Sequence, residues 1–477
     1  MLNTIIRKEI HNHVLSFRFL AVFLLLLVIV PATVLVLTND YIRKQNDASR
    51  RQTEIQTYLS QYAHFNRLYG VIAPSQPPVP FLALVRGLSA EVNLGEFDND
   101  PLPVMFPLID LTFIVTILLS LAALVLSYDA VSGEREDGTL KLMLANGVPR
   151  AKIILGKLLG GVATLLVPFL VGLAVGMVLL LLNPRLGWKG SDWGALGLIL
   201  AGAVVYLSLF VGLGILISSR HHSSASSIMT SLFVWVLLIL VIPNLAPYAA
   251  SLIRPTPSRI KLNREIARLT DVDRDDLGRK LQKEKTEAVL KQYPILAPVT
   301  RMSEAEIKAA IKKDSALAQA YRVLAGEIEA AWKEANIIQG EKAKVLREDL
   351  DRIQKSQTQL ALRLSMASPL ADFTYLAADM SNTGMRNARH FESLVSAWNQ
   401  LYGEYMRRKM EAMRKANPTM DVWNTATDVR DLPRFAYKEE ALPGRMMSGL
   451  APFVVLLVLS LALFAAGFAA FVRYDVR

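Results

Sequence analysis

The 477-residue chain contains no cysteine. This absence excludes a disulfide framework, thiolate ligands for a metal ion and catalysis by a thiol. The phosphate-binding loop G-x-x-x-x-G-K-[ST] is missing as well. Its nearest approach, Gly156-Lys157-Leu158, lacks the final serine or threonine, and position 151, where the first glycine belongs, is Ala151. We therefore expect no nucleotide site in this chain.

Recognisable groups of catalytic or metal-binding side chains are also lacking. No Ser/His/Asp arrangement and no pair of carboxylates stands out from the sequence. The six histidines include two close pairs, His11 with His13 and His221 with His222. A metal site needs three or four convergent ligands, so neither pair predicts a metal centre. The sequence predicts a non-catalytic chain that binds no cofactor of its own.

Long apolar stretches with few charged residues dominate the chain instead. Its residues are 52% hydrophobic, and the mean hydropathy is +0.31. A helix needs about 20 apolar residues to cross the roughly 30 Å core of a bilayer. Six stretches predict transmembrane helices: Phe17–Leu37, Phe106–Leu126, Leu158–Leu182, Ala195–Ile217, Ile228–Ile253 and Gly449–Val472. The first lacks a small-residue cleavage site, so we expect it to be retained as a span.

The remaining segments are polar and read as helical. Residues 1–16 place apolar side chains at intervals of three or four opposite a basic face, which predicts a helix lying in the membrane interface. Residues 17–253 hold spans one to five and an external loop, 38–105. Residues 254–445, rich in good helix formers, predict a helical extracytoplasmic domain between helices five and six. Its expected long helices are Ile260–Gln292, Ser303–Asn336 and Glu341–Leu364. The sixth helix and the C-terminus occupy 446–477. The expected fold is an all-α membrane protein with six transmembrane helices.

Basic residues near the span ends predict the topology. The loop 127–157 and the short loop after the fourth span carry such residues, and so does the C-terminus. With six spans, these three regions lie on one side of the membrane. We place them in the cytoplasm together with the N-terminus, as a multi-pass protein of the inner (plasma) membrane. The net charge of +11 is explained by this signal and by contact with the lipid bilayer, so it predicts no nucleic-acid partner.

The loop 127–157, between the second and third spans, is the most informative segment. Ser132 can cap a short helix that carries Glu134 and Glu136 near its first turn. Gly138 interrupts this helix, and Thr139 can begin a second one. The apolar face of the second helix is formed by Leu140, Met143 and Leu144. A short, charged, amphipathic helix between two spans is suited to contact a soluble partner.

This loop resembles the corresponding loop of the type-2 ATP-binding-cassette (ABC) exporter permeases. The shared pattern is an acidic-basic-acidic triplet, Gly-Thr-Leu, a hydrophobic pair, then proline with arginine and Gly-Lys. Here the pattern comprises Glu134, Arg135, Glu136, Gly138, Thr139, Leu140, Leu142 to Leu144, Pro149, Arg150, Gly156 and Lys157. The resemblance implies an ATPase-coupling role for Glu134, Arg135, Glu136, Gly138, Thr139, Leu140, Met143, Pro149 and Arg150. We expect Glu134 and Glu136 to bind a basic groove on another subunit. Replacing both by alanine, or Leu140 by aspartate, should then leave insertion and expression intact, weaken ATPase co-purification and abolish activity. The resemblance covers the membrane portion and leaves the large insert 254–445 unexplained.

The resemblance also implies partners. Two copies of an ABC ATPase would bind ATP and Mg²⁺, and a second permease chain, identical or paralogous, would complete an exporter. The insert 254–445 leaves open a mechanotransmission complex, which would act on a periplasmic partner without moving a substrate. A membrane-anchored sensor or scaffold is a third hypothesis, and the pattern in the loop 127–157 argues against it.

Two further features have both a functional and a structural interpretation. The third span carries the pairs Gly156/Gly160 and Gly172/Gly176. Such G-x-x-x-G spacings favour close helix crossing, which we expect within the chain rather than between subunits. Asp110 lies near the outer end of the second span. An intramembrane carboxylate is a functional candidate by default, but a helix cap at the interface is the alternative.

Overall fold

The computed structural model describes residues 2–60, 64, 68, 74–87, 109–145, 147–299, 302–417 and 422–473. Over these ranges the chain is helical, without strands, as predicted. Its internal contacts divide it into two compact units. One comprises Met1–Asn244 with Ser365–Arg477, and the other comprises Leu245–Leu364.

The helices are numbered here in chain order. They are α1 (Leu2–Val14), α2 (Phe17–Ser60), α3 (Leu111–Phe113, Ile114–Leu119 and Ser120–Ser127), α4 (Ser132–Glu136), α5 (Thr139–Ala145), α6 (Arg150–Leu181), α7 (Gly190–Arg220), α8 (Ser224–Val236, Leu237–Val241 and Ile242–Ile253), α9 (Arg259–Ala267, Arg268–Asp273 and Arg274–Gln292), α10 (Glu304–Lys313), α11 (Ser315–Ser365), α12 (Pro369–Met380), α13 (Met385–Ala416) and α14 (Leu442–Val472). The middle segments of α3, α8 and α9 are π-helical.

Six of these helices are long and apolar enough to cross a bilayer, which confirms the predicted spans. In order they are α2, α3, α6, α7, α8 and α14. The start of the second span, predicted at Phe106, lies outside the described residues, and the described helix begins at Leu111. The first span continues to Ser60, so the predicted external loop begins as helix. The far end of this helix packs Leu59 in one apolar cluster with Trp398 and Tyr402 of α13.

The predicted domain 254–445 is divided between the two units. Residues 254–364 fall in the second unit, whereas residues 365–445 belong with the transmembrane helices. The short helix α12 packs against the fourth and sixth spans. Its Leu376 lies over Gly202 of the fourth span and Gly449 of the sixth, where a glycine leaves room for it. That the second unit lies outside the cytoplasm stays a prediction.

The second unit consists mainly of α9 and α11. The predicted helix Ile260–Gln292 corresponds to α9, which is continuous through its π-helical segment. Where two helices were expected, at 303–336 and 341–364, the short α10 is followed by the 51-residue α11. Trp332 of α11 packs against Gly278 of α9 and donates a hydrogen bond to Gln282 Oε1 at 3.0 Å.

Both glycine pairs of the third span are places where another helix of the same chain comes close. A Cβ at Gly172 would lie 2.9 Å from the Leu26 carbonyl oxygen, and one at Gly176 would lie 2.9 Å from Val34 Cγ2. At this glycine pair the first span packs closely against the third. At the pair Gly156/Gly160 the N-terminal helix α1 packs against the third span instead, with Ile5 over Gly156. Packing within the chain, as predicted from the spacing, is confirmed.

Candidate functional site

The helix α4 at the start of the loop 127–157 is fixed to the end of the fourth span. Ser218 Oγ accepts hydrogen bonds from the backbone N–H groups of Val131 and Ser132, at 3.0 and 2.9 Å. These are first-turn donors that a helix cannot satisfy by itself. Ser132, expected to cap this helix with its own side chain, is its first residue, and the cap comes from Ser218. The fourth span therefore determines where α4 begins.

Glu136, at the end of α4, binds the first residue of the fifth span. Its two carboxylate oxygens accept from the backbone N–H and the hydroxyl of Ser224, at 2.9 and 2.7 Å. A carboxylate at a helix N-terminus satisfies a free N–H group and meets the positive end of the helix dipole. Nearby, Ser227 Oγ donates to the Tyr128 carbonyl oxygen at 2.6 Å. The loop thus holds the fifth span in place at its first turn.

Glu134 takes part in a buried group of charges with the third span and α1. Lys157 Nζ lies 3.0 Å from Glu134 Oε1 and 3.0 Å from Glu9 Oε1. Lys8 Nζ reaches the same oxygen of Glu134 at 3.1 Å. The Lys157 side chain is only 2% exposed, so both carboxylates compensate a charge that water does not solvate. Burial lowers the pKa of the neighbouring His13, with Glu9 acting in the opposite direction.

The helix α5 presents one face to the chain and the other to solvent. Leu140 is buried, and Met143 and Leu144 pack partly buried against the same core, as the predicted apolar face requires. The outer face of α5, defined here as Lys141, Leu142 and Ala145, is exposed, and the Leu142 side chain is 67% exposed. Leu142 thus places an apolar side chain at the surface of the loop.

Two glycines set the limits of α5. Gly138 and Gly147 both have the left-handed backbone conformation, with φ of +73° and +70°. Residues with a Cβ rarely adopt this conformation, so glycine is required on each side of the helix. Thr139, next to Gly138, donates from Oγ1 to the Glu134 carbonyl oxygen at 3.2 Å, which ties the start of α5 back to α4.

The end of the loop is bonded to the sixth span. Pro149 is the residue before α6, with an extended backbone, and Arg150 is the first residue of that helix. The Arg150 guanidinium donates to the carbonyl oxygens of Phe471, at 3.4 Å, and of Val472. These are among the last carbonyls of the sixth span, where a cation is favoured by the helix dipole. At the other end of the loop, Asp129 forms an ion pair with Arg18 of the first span at 2.7 Å.

These contacts gather the N-terminal helix and one end of every span around a single loop. Sequence reasoning identified the residues of the loop but missed most of the partners, which are Glu9, Lys8, Arg18, Ser218 and Ser224. For Glu9 a signal was present, because this acidic residue falls on the face of α1 that Ile5 and Leu2 make apolar. The ATPase-coupling role of all nine predicted residues stays a prediction. Across the described ranges, no group of three or more histidines and carboxylates is close enough to hold a metal ion.

Comparison with known proteins places the chain in a family. The sequence profile of the ABC-2 family transporter proteins matches residues 3–476. The chain belongs to the ABC-2 transporter family. A probable ABC transporter permease protein, NosY of Pseudomonas aeruginosa, is 33% identical over 132 residues, which are 28% of this chain and 48% of NosY. NosY of Stutzerimonas stutzeri is 32% identical over 158 residues, 32% of this chain and 54% of that protein.

The chain thus spans about half the length of these curated relatives. Membership of the ABC-2 family and the six apolar helices support a multi-pass membrane subunit of an ABC transporter, of the permease type. The resemblance identified in the loop 127–157 therefore extends, as family membership, over nearly the whole chain.

Proposed function

We propose that this chain is the permease subunit of an ATP-driven exporter and that the loop 127–157 receives the movement of a separate ABC ATPase. One observation carries the proposal: the loop exposes the outer face of α5. The same loop continues from the second span and is bonded to each of the other five spans and to α1. Hydrogen bonds or ion pairs to Arg18, Lys157, Ser218, Ser224 and the end of the sixth span make these connections. A displacement of this loop is passed to all six spans.

The outer face of α5 is the proposed docking surface. Leu142 offers an exposed apolar side chain next to the positive charge of Lys141. An apolar anchor surrounded by charged residues is a common form of interface contact, in which the buried centre contributes most of the affinity. Leu140 is buried within the chain, so it would transmit a displacement rather than bind the ATPase.

Glu134 and Glu136 are proposed to transmit this displacement. A buried ion pair that loses one partner costs about 3–5 kcal/mol, so Glu134 is held to Lys157 and α1 when the loop moves. Glu136 makes the equivalent connection to the fifth span. Closure of the ATPase dimer would therefore rotate α4, α1 and the first turns of the third and fifth spans together.

The complete exporter would contain two ATPase copies, which bind ATP and Mg²⁺, and a second permease chain, identical or paralogous. The spans differ in how much of their apolar surface the chain itself covers. In the most apolar part of the second and fourth spans 67% of the residues are buried, against 17% in the fifth and sixth. The fifth and sixth spans are therefore the ones that would face lipid or a second permease chain.

The proposed location is the inner membrane, with both termini and the loop 127–157 in the cytoplasm and the second unit outside. The long helices of that unit favour mechanotransmission to a periplasmic partner as the second candidate function. The 51 residues of α11 extend over about 75 Å at about 1.5 Å per residue, and such a helix can carry a movement far from the bilayer. Transport of a cargo into sealed vesicles separates the two functions.

The test is a pull-down of the ABC ATPase that co-purifies with the wild-type chain. Leu142→Asp should weaken this association by about tenfold or more, because a charge replaces an apolar anchor and about 1.4 kcal/mol corresponds to a tenfold change. The matched control is Leu401→Asp on α13, where the leucine is 57% exposed. This variant should bind normally. Equal ATPase recovery and equal ATP hydrolysis with both variants would contradict docking through α5.

A further inference from the structure

One carboxyl group inside the membrane domain, that of Asp372, is buried without a hydrogen-bond partner in the described part of the chain. Asp110, which the sequence singled out, is a helix cap: its two oxygens accept from the backbone N–H groups of Phe113 and Arg86, at 2.8 and 3.1 Å. Asp372 of α12 is different. It is completely buried, and neither of its oxygens has a hydrogen-bond partner in the described part of the chain.

Asp372 lies deep among the spans rather than at their ends. The next residue, Phe373, packs its ring against Tyr206, which is at the middle of the fourth span, with 5.4 Å between ring centroids. One turn later, Leu376 fills the space over Gly202. The helix α12 also packs against the sixth span. Asp372 is therefore held at the level of the apolar core, away from the headgroups.

Two hydroxyl groups within four residues of Asp372 are already occupied, and a third, Thr374 Oγ1, donates to the Leu370 carbonyl oxygen at 2.8 Å. Ser368, one turn before Asp372, donates to the Leu238 carbonyl oxygen at 2.5 Å. Tyr375, three residues after Asp372, shares a hydrogen bond of 2.7 Å with Ser365. None of these hydroxyl groups is directed to the carboxyl group. No lysine, arginine or histidine forms an ion pair with Asp372 within the described ranges.

Two further spans that contact α12, the second and the fifth, carry irregular turns. The π-helical segments Ile114–Leu119 and Leu237–Val241 of the second and fifth spans both contact α12. Tyr206 donates to the carbonyl oxygen of Thr116 in the first of these segments, at 2.9 Å. Single π-helical turns within α-helices occur frequently at functional sites, because they displace side chains and backbone groups from the regular ladder. They are an observation independent of the buried carboxyl.

We propose that Asp372 is a proton-binding site within the membrane domain. A carboxylate without a partner costs several kcal/mol to bury, whereas a protonated carboxyl has no net charge to desolvate. Asp372 thus holds a proton in the packed arrangement. When α12 separates from the fourth and sixth spans and water enters, the O–H bond breaks, the proton passes to water and a solvated carboxylate remains.

Proton binding and opening are linked by this assignment. The packed arrangement binds the proton more tightly than the hydrated one, so acid favours packing and a rise in pH favours opening around α12. The assignment does not depend on an ATPase partner. It adds to the proposed permease a group whose charge changes as the membrane domain opens.

The experiment uses the full chain in lipid nanodiscs with dicyclohexylcarbodiimide, an apolar reagent that adds to protonated carboxyl groups. The chain has no thiol to compete for the reagent. Mass spectrometry of the peptide that contains Asp372 should find the adduct at neutral pH. Above its midpoint the labelling rate should fall about tenfold for each unit of pH, in step with the protonated fraction. Asp428, whose pKa is lowered to about 2 by its hydrogen bonds with Arg430, is the internal control and should stay unlabelled.

The isosteric variant Asp372→Asn should lose the adduct while keeping the wild-type melting temperature. An infrared band of a protonated carboxyl, present in the wild type and lost in Asp372→Asn, tests the same point where the reagent is excluded. Absence of both the adduct and the band overturns the proposal. Suppression of labelling by Na⁺ or K⁺ at constant pH would assign the site to a metal cation and would also overturn it. Because no ATPase is present, neither result depends on the proposed coupling role of α5.

Discussion

Lys157 Nζ lies 3.0 Å from Glu9 Oε1, and these side chains are only 2% and 8% exposed. This ion pair joins the N-terminal helix to the third span beneath the loop 127–157. Glu134 approaches Lys157 from the loop at the same distance, so three parts of the chain meet at one ammonium group. Buried charges tolerate displacement of a partner poorly. The N-terminal helix, the loop and the third span are therefore mechanically connected.

The first prediction is that Lys157→Met destabilises the chain. Two carboxylates, Glu9 and Glu134, would lose their buried cation, at an expected cost of about 3–5 kcal/mol. The measurement is thermal unfolding of the full chain in detergent. Lys152→Met is the matched control, because Lys152 lies on the same helix and is exposed. Similar melting temperatures for the two variants would contradict the structural role of the ion pair.

The second prediction concerns the packing of α1 against the third span. A Cβ at Gly160 would lie 2.7 Å from Glu9 Cβ, closer than side chains approach one another. Gly160→Leu should therefore lift α1 away from the span. The reporter is a single cysteine introduced at Ile5, a partly buried residue in a chain without other thiols. Its rate of reaction with a maleimide should rise severalfold, because separation of the helices exposes it.

Gly197→Leu is the control for this experiment. No atom outside its own helix lies within 4 Å of a Cβ built at Gly197 of the fourth span, so this leucine is accommodated without a shift. The cysteine at position 5 should react as in the unsubstituted chain. An unchanged rate in Gly160→Leu as well would show that the glycine does not determine where α1 lies.

The spans and the short helices of the loop were predictable because their signals are local. Twenty apolar residues in succession specify a span wherever they occur. Gly138 and Gly147 delimit α5 through their own backbone conformations. From the sequence we expected Glu134 and Glu136 to be available to a basic groove of another subunit. In the structure both carboxylates have partners within the chain: Glu134 contacts Lys157, and Glu136 contacts Ser224. Both partners belong to other helices, so the local sequence does not reveal them.

This difference changes how a substitution in the loop is interpreted. Replacing Glu134 and Glu136 by alanine was expected to leave membrane insertion and expression intact, to weaken ATPase binding and to abolish activity. With intrachain partners for both, the same double change also disturbs the packing of α1 and the fifth span. Leu140→Asp would also disturb folding, because Leu140 is buried. Leu142 is exposed and so separates docking from folding.

The helix α12 could not be recognised from composition. Its 12 residues are too few to cross a bilayer, and hydropathy assigned them to the polar domain 254–445. The contacts of Leu376 with Gly202 and Gly449 show that α12 belongs among the spans. Long-range packing of this kind leaves no periodic signal in a single sequence. The unpaired carboxyl of Asp372 was overlooked for the same reason.

The last prediction is the topology. Bonds from the loop 127–157 to Ser218, Ser224 and Val472 place the ends of the fourth, fifth and sixth spans on the same side as this loop. One measurement therefore orients the whole set. We expect a single cysteine at His222, exposed between the fourth and fifth spans, to be protected from a membrane-impermeant maleimide in intact cells. A single cysteine at Ser315, exposed in the second unit, should react.

Each variant carries one thiol because the natural chain has none. Any outer membrane is permeabilised first, and His222→Cys should become reactive once the inner membrane is disrupted. Ser219, close by in sequence, is a poor reporter because it is only 7% exposed, so a lack of reaction there would reflect burial. Reaction at position 222 with protection at 315 would invert the topology. The α5 face would then be on the wrong side of the membrane for an ATPase, and the coupling proposal would fall with it.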